Sequence, residues 1–188
     1  MPEALFYGSG TALITPFAGD QVDYGAWHRL IDGQLARGAD ALVVLGSTGE
    51  AATVTFQERV KLISVAVSLA AGRVPVIVSA ASNCTRTAME LAQNARELGA
   101  DGILLSAPWY NRPKPDGIRA HFFQVADAGG LPVIAYNIPS RTCVNISPAL
   151  MGELARHPLI RGLKEASSDA SHISEMLAQV GEGVAVYA

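Results

Sequence analysis

Seven short apolar, β-prone runs recur along the chain, at residues 11–15, 41–45, 74–79, 102–106, 131–136, 160–164 and 184–187. They are near-continuous in hydrophobicity rather than alternating, which is the pattern of strands covered on both faces. Segments of helical period separate them. Such strand–helix alternation implies parallel pairing through right-handed crossovers. The joints repeat as well: Arg37-Gly38-Ala39-Asp40 and Leu98-Gly99-Ala100-Asp101 each lead directly into a strand. In both, the glycine is suited to the left-handed turn that ends a helix.

Helix boundaries are marked too. Thr55-Phe56-Gln57-Glu58 has the form of a capping box, and Val60, Ile63, Val67 and Ala70 then share one face. Asp23 and Gly38 bracket the first full helix, and Ser147-Pro148 offers an N-cap with proline at the first helical position. No linker, low-complexity stretch or charge block divides the chain. The pattern predicts an α/β fold, a (β/α)8 barrel in which residues 1–188 form a single barrel domain. A closed barrel needs eight strands and about 250 residues. The chain supplies 188 residues and stops inside an apolar run, Val184-Ala185-Val186-Tyr187-Ala188. The expectation is therefore a barrel truncated after about seven strands, with its C-terminal part missing, poorly stable alone and with little activity. An open flavodoxin-like sheet is the alternative, although it usually has fewer strands in this length.

Composition narrows the function. The formal net charge is -3 and no basic cluster occurs, which argues against a nucleic-acid surface. No apolar run approaches the ~18 residues that span a bilayer. The start, Met1-Pro2-Glu3-Ala4-Leu5, lacks the basic and apolar regions of a signal peptide. Cys84 and Cys143 read as free thiols of a reducing cytosol, so a cytoplasmic location is expected. The four histidines, His28, His121, His157 and His172, show no metal-ligand spacing.

The chemistry-bearing residues gather after the second, fourth, fifth and sixth predicted strands, at the face where barrels carry their reactions. Lys164 ends the apolar run Leu159-Ile160-Arg161-Gly162-Leu163-Lys164. Among apolar neighbours its pKa falls from about 10.4, leaving free amine to attack a ketone. A lysine snorkelling from a strand end is the plainer reading, and Arg161 in the same run suggests no chemistry. Tyr136 ends the preceding strand, followed by Asn137-Ile138-Pro139-Ser140-Arg141-Thr142. Gly46-Ser47-Thr48-Gly49-Glu50 offers small donors and backbone N–H groups suited to a carboxylate or phosphate, or is simply a strand-to-helix turn. Tyr110 lies in the stiff loop Pro108-Trp109-Tyr110-Asn111-Arg112-Pro113, which suits packing, subunit contact or the site. Glu165 adjoins Lys164 but faces the other way along the strand, so it reads as structural. His157 reads as a capping or surface residue.

Gly46-Ser47-Thr48-Gly49-Glu50, Tyr136-Asn137-Ile138-Pro139-Ser140-Arg141-Thr142, Gly162-Leu163-Lys164-Glu165-Ala166-Ser167 and the early Gly10-Thr11-Ala12-Leu13-Ile14-Thr15-Pro16-Phe17 resemble the dihydrodipicolinate synthase / N-acetylneuraminate lyase family. These are pyruvate-dependent class I aldolases on a (β/α)8 barrel, and the resemblance runs along essentially the whole chain. It implies that Lys164 forms a covalent imine with pyruvate, with no separate cofactor. Tyr136 would relay protons, joined by Ser47 and by Tyr110 from the adjacent subunit of a tight dimer. Thr48 with the neighbouring Gly49 backbone would hold the pyruvate carboxylate. Arg141 would bind the carboxylate of a second substrate. An arginine at that place resembles the synthases, which condense pyruvate with aspartate semialdehyde toward lysine and diaminopimelate. Relatives imply a homodimer or homotetramer.

The chain departs from the family pattern in places. Ser47 stands where synthases often have a threonine, and Ser79 and Ala81 stand where small glycines are usual. At the site where some members bind lysine as an inhibitor, Asn83 is kept, but Thr87 replaces an acidic residue and Trp109 a tyrosine. Weak or absent feedback by lysine is expected. Two other readings compete: a pyruvate aldolase that cleaves a sugar acid, against which Arg141 argues, and a non-catalytic fragment acting as an interaction module.

Overall fold

The computed structural model describes residues 4–188. Its elements are β1 (Gly10–Ala12), β2 (Phe17–Ala18), β3 (Gln21–Val22), α1 (Tyr24–Ala36), β4 (Ala41–Val44), α2 (Phe56–Ala70), β5 (Val76–Ser79), α3 (Thr85–Glu97), β6 (Gly102–Ser106), α4 (Pro115–Gly129), β7 (Val133–Asn137), α5 (Pro139–Thr142), α6 (Pro148–Leu154), β8 (Ile160–Glu165), α7 (Ala170–Val180) and β9 (Ala185–Tyr187). Seven strands form one sheet in the order β1-β4-β5-β6-β7-β8-β9, every neighbouring pair parallel. Each expected apolar run supplies one of them. A doubly wound sheet reverses its strand order at a switch point. This order never reverses, so the flavodoxin-like alternative falls and the sheet is that of a (β/α)8 barrel.

The two faces of the sheet carry two cores. Ala41, Ile77, Leu104, Ile134 and Tyr136 cluster on the inner, concave face. The residues between them, including Leu42, Val44, Val76, Val78, Ile103, Leu105 and Leu163, face the helices. There they meet Trp27 and Ile31 of α1, Leu62 and Ile63 of α2, and Phe122 of α4. Trp27 is fully buried and donates its indole N–H to the Leu62 carbonyl at 3.2 Å. Both strand faces are thus covered, which explains why the runs read as continuous rather than alternating.

The caps form as expected. Thr55 and Glu58 make the reciprocal capping box of α2, Asp23 caps α1 through the Ala26 N–H, and Ser147 caps α6 through the Leu150 N–H. Gly38 and Gly99 take positive φ, +79° and +84°. Some details differ from the sequence reading. The first strand lies at Gly10–Ala12 rather than 11–15, because the chain breaks away toward the small antiparallel hairpin β2–β3. The two-residue Gly19-Asp20 link of that hairpin, with φ +61° at Gly19, was its sequence signal. The buried face of α2 is Arg59, Leu62, Ile63, Ala66 and Ala70. Apolar residues surround this helix, so its period alone does not fix which stripe turns inward.

Candidate functional site

Parallel register brings the strand ends level. Tyr136 of β7 pairs with Lys164 of β8, and Lys164 in turn pairs with Tyr187 of β9. By strand alternation these side chains share the inner face. The Lys164 ammonium lies 4.7 Å from the centre of the Tyr136 ring, a cation–π contact. Lys164 is half-buried, and burial pushes its pKa below the ordinary lysine value. It opens into a cleft of about 390 Å³ whose walls include Phe6, Val43, Leu104, Ile134 and Tyr187. An amine with lowered basicity, a phenol beside it and an apolar wall form the setting for nucleophilic attack on a carbonyl.

The loop after β4 carries Ser47 and Thr48, both exposed, and Gly49, which is buried. Thr15 Oγ1 donates to the Gly49 carbonyl at 2.6 Å, and the Gly49 N–H donates to the Gly46 carbonyl at 3.0 Å. A Cβ added at Gly49 would stand 2.9 Å from the Leu13 carbonyl oxygen. Gly49 thus serves the shape of the loop. Arg141 sits on the one-turn helix α5 rather than in an irregular loop, because Pro139 presets the first helical φ. Its side chain is exposed and forms no ion pair among the described residues. Tyr110 lies 88% exposed at the tip of the loop after β6, with φ +65°. The structure therefore brings Lys164 and Tyr136 together directly. Ser47, Thr48 and Tyr110 on loops and Arg141 on α5 follow the same strand ends, with no hydrogen bond to Lys164 or Tyr136 among the described residues.

Glu165 faces the helices, buried at 4% exposure, and accepts from Asn137 Nδ2 and the Ser167 N–H. This agrees with a structural carboxylate. His157 accepts the Leu159 N–H and lies 3.1 Å from Asp127, holding the turn before β8 against α4. Tyr187, as the second aromatic flanking Lys164, went unnoticed in the sequence, although its place at the end of an apolar run was the available signal. Arg59 was missed as well. It is buried beneath the end of β5, donates to the Ser79 carbonyl at 2.8 Å, and is pushed down to about 10 by burial. At the positions expected to matter for lysine, Asn83 is half-buried and its backbone carbonyl accepts from Asn111 Nδ2 at 2.8 Å, while Thr87 and Trp109 are exposed. Cys84 and Cys143 are free thiols, and no helix is long and apolar enough to cross a membrane among the described residues.

A barrel sheet with a lysine in its inner wall, stacked against the tyrosine of the neighbouring strand, defines the class of this protein. Residues 5–188 match the sequence model of the dihydrodipicolinate synthetase family, and the chain belongs to that family. It is 44% identical over 183 residues to the 4-hydroxy-tetrahydrodipicolinate synthase of Alkaliphilus oremlandii, covering 97% of this chain and 63% of that protein. The crystal structure of dihydrodipicolinate synthase from Aquifex aeolicus superposes with a TM-score of 0.92 at 45% identity, covering 95% of this chain and 61% of that one. The chloride-inhibited dihydrodipicolinate synthase from Acinetobacter baumannii, solved in complex with pyruvate, gives a TM-score of 0.93 at 36% identity, covering 96% and 62%. The chain spans about three fifths of the length of the relatives it matches.

Proposed function

We propose that this chain carries the imine-forming half of a 4-hydroxy-tetrahydrodipicolinate synthase, a class I aldolase of lysine and diaminopimelate synthesis acting in the cytoplasm. Residues 1–188 are one barrel unit in this reading. Pyruvate binds with its carboxylate at Thr48 and the Gly49 backbone. The free Lys164 amine attacks the ketone carbon, a C–N bond forms, and water leaves as the imine forms. Tyr136 passes protons at the departing oxygen and at the methyl carbon that becomes the enamine nucleophile, with Ser47 and a partner subunit's copy of Tyr110 extending the relay. Arg141 takes the carboxylate of aspartate semialdehyde. The chemistry needs no cofactor beyond the lysine itself. The exposed position of Tyr110 supports a homodimer, or a tetramer built from two, since its hydroxyl is free to reach a neighbouring copy.

The observation that carries this reading is the half-buried Lys164, lowered in pKa and stacked against Tyr136 in the inner wall of a barrel of this family. Incubation with pyruvate and borohydride, followed by peptide mass spectrometry, tests it. Reduction converts the imine to a stable amine, so an adduct confined to Lys164 is expected. A folded sample without that adduct refutes the reading.

A further inference from the structure

The Tyr136–Lys164 pair has a counterpart on the opposite face of the same two strands. One residue further on, Asn137 and Glu165 stand in register, and both are buried, at 1% and 4% exposure. Asn137 Oδ1 accepts the Ile146 N–H at 3.0 Å, which fixes the orientation of its amide. Nδ2 then donates to Asn145 Oδ1 at 2.8 Å and to the two Glu165 oxygens at 2.9 and 3.2 Å. Glu165 also accepts the Ser167 N–H at 2.6 Å, and His172 Nε2 of α7 lies 4.0 Å from it. The backbone repeats the link, with the Ala166 N–H donating to the Asn137 carbonyl at 2.9 Å. Asn137 therefore joins the end of β7 to the end of β8, and also to the far side of the loop that carries Arg141. Its own partner at Oδ1 is a donor, and so is the backbone partner of Glu165. The arrangement closes only if residue 137 donates and residue 165 accepts.

We infer that Asn137 and Glu165 are positioning residues: they clamp the ends of β7 and β8 from behind, setting Lys164 against Tyr136 and anchoring the Arg141 loop. This rests on the Schiff-base reading above. Neither side chain meets substrate, since both face the helices. A purely structural pair would contribute stability alone, whereas a positioning pair sets how fast the amine reaches its carbonyl.

Reversing the direction of the hydrogen bond separates the two. Glu165→Gln turns an amide toward the Asn137 amide or toward the Ser167 N–H, and either way donor meets donor. Asn137→Asp turns a carboxylate toward a carboxylate. The double variant Asn137→Asp/Glu165→Gln restores a complete set once the Asn145 amide turns over: the new amide donates to the new carboxylate and accepts the Ser167 N–H, while the carboxylate accepts the Ile146 N–H and the Asn145 Nδ2. Trapping of the pyruvate imine on Lys164 by borohydride is followed over a range of pyruvate concentrations, with circular dichroism reporting the fold. Each single variant is expected to lower the saturating trapping rate about tenfold or more while half-saturating pyruvate changes little, because the carboxylate grip lies on the loop after β4. The double variant is expected to regain most of the parent's rate. Folded single variants that trap at the parent's rate, or a folded double variant as slow as the singles, overturn the inference. If a single variant fails to fold, the double variant decides by the same criterion. An absence of adduct in the folded parent chain overturns the Schiff-base reading and this inference with it; adduct in the parent with unaffected variants overturns the inference alone.

Discussion

The Lys164 ammonium is held where water reaches it only in part, with the centre of the Tyr136 ring 4.7 Å away. Burial raises the cost of its charge, and the cation–π contact recovers some of it. The net effect is a lowered pKa. The free amine is the reactive form, so the rate of imine trapping is expected to rise with pH with a midpoint below that of a surface lysine. Measuring the trapping rate across pH checks this; a midpoint at the ordinary lysine value would mean that the pocket does not activate the amine. Burial acts in the same direction on His121, where it bears on stability rather than reactivity. This residue lies 2% exposed on α4, paired through Nδ1 with Thr85 Oγ1 at 3.0 Å, and its Nε2 has no partner among the described residues. Burial pushes its pKa down to about 4. The folded state thus binds fewer protons than the unfolded state, so stability is fully present above the unfolded value near 6.5 and is lost as pH falls toward the folded value. Between pH 7 and pH 5 the loss is of order 2 kcal/mol. Urea unfolding at the two pH values measures it, and His121→Leu is expected to flatten that part of the profile.

Among the elements, the loop after β4 depends on one close approach. The Leu13 carbonyl oxygen and the backbone of Leu45 leave no room for a side chain at Gly49, where a Cβ would meet them at 2.9 and 3.2 Å. Gly49→Ala is expected to cost about 1–3 kcal/mol, as overpacking against backbone does. It should also raise half-saturating pyruvate in the trapping assay, since Thr48 rides on the same turn. Denaturant midpoints and a pyruvate titration check the two effects separately. The strands and caps of this architecture were legible because they follow from local chemistry: apolar runs, a capping box, glycines at joints. The pairing of Lys164 with Tyr136 was legible as well, because parallel strands bring their C-terminal ends to one level. The buried stripe of α2 was not, since Val60 and Val67 fit the helical period as well as Leu62 and Ala66 do. Nor was the Asn137–Glu165 clamp, whose other partners, Asn145, Ile146 and Ser167, are set by how two loops fold back rather than by a strand or helix period.

At the scale of the whole molecule, the sheet has two edge strands, β1 and β9. The cleft holding Lys164 lies between them, and Phe6 and Tyr187 meet across it. Phe6 lies over Gly10 of β1, where a Cβ would come within 2.6 Å of its ring, and stacks on Tyr187 of β9 with centroids 4.4 Å apart and planes 13° from parallel. The Tyr187 hydroxyl donates to the Phe6 carbonyl at 3.0 Å. Tyr187 thus ties the two edges together while standing in register beside Lys164. Two substitutions separate its contributions. Tyr187→Phe keeps the stack and loses the hydrogen bond, at an expected cost of about 1 kcal/mol. Tyr187→Ala loses both, and about 2 kcal/mol or more is expected from the lost aromatic contact and area. The second change also opens the cleft wall beside the amine. Better solvation of the ammonium then returns its pKa toward the ordinary value, so the pH midpoint of imine trapping should move upward in Tyr187→Ala and stay near the parent's in Tyr187→Phe. Urea midpoints and trapping profiles of the two variants test both effects, and equal behaviour of the variants would mean that the stack neither closes the seam nor shields the lysine.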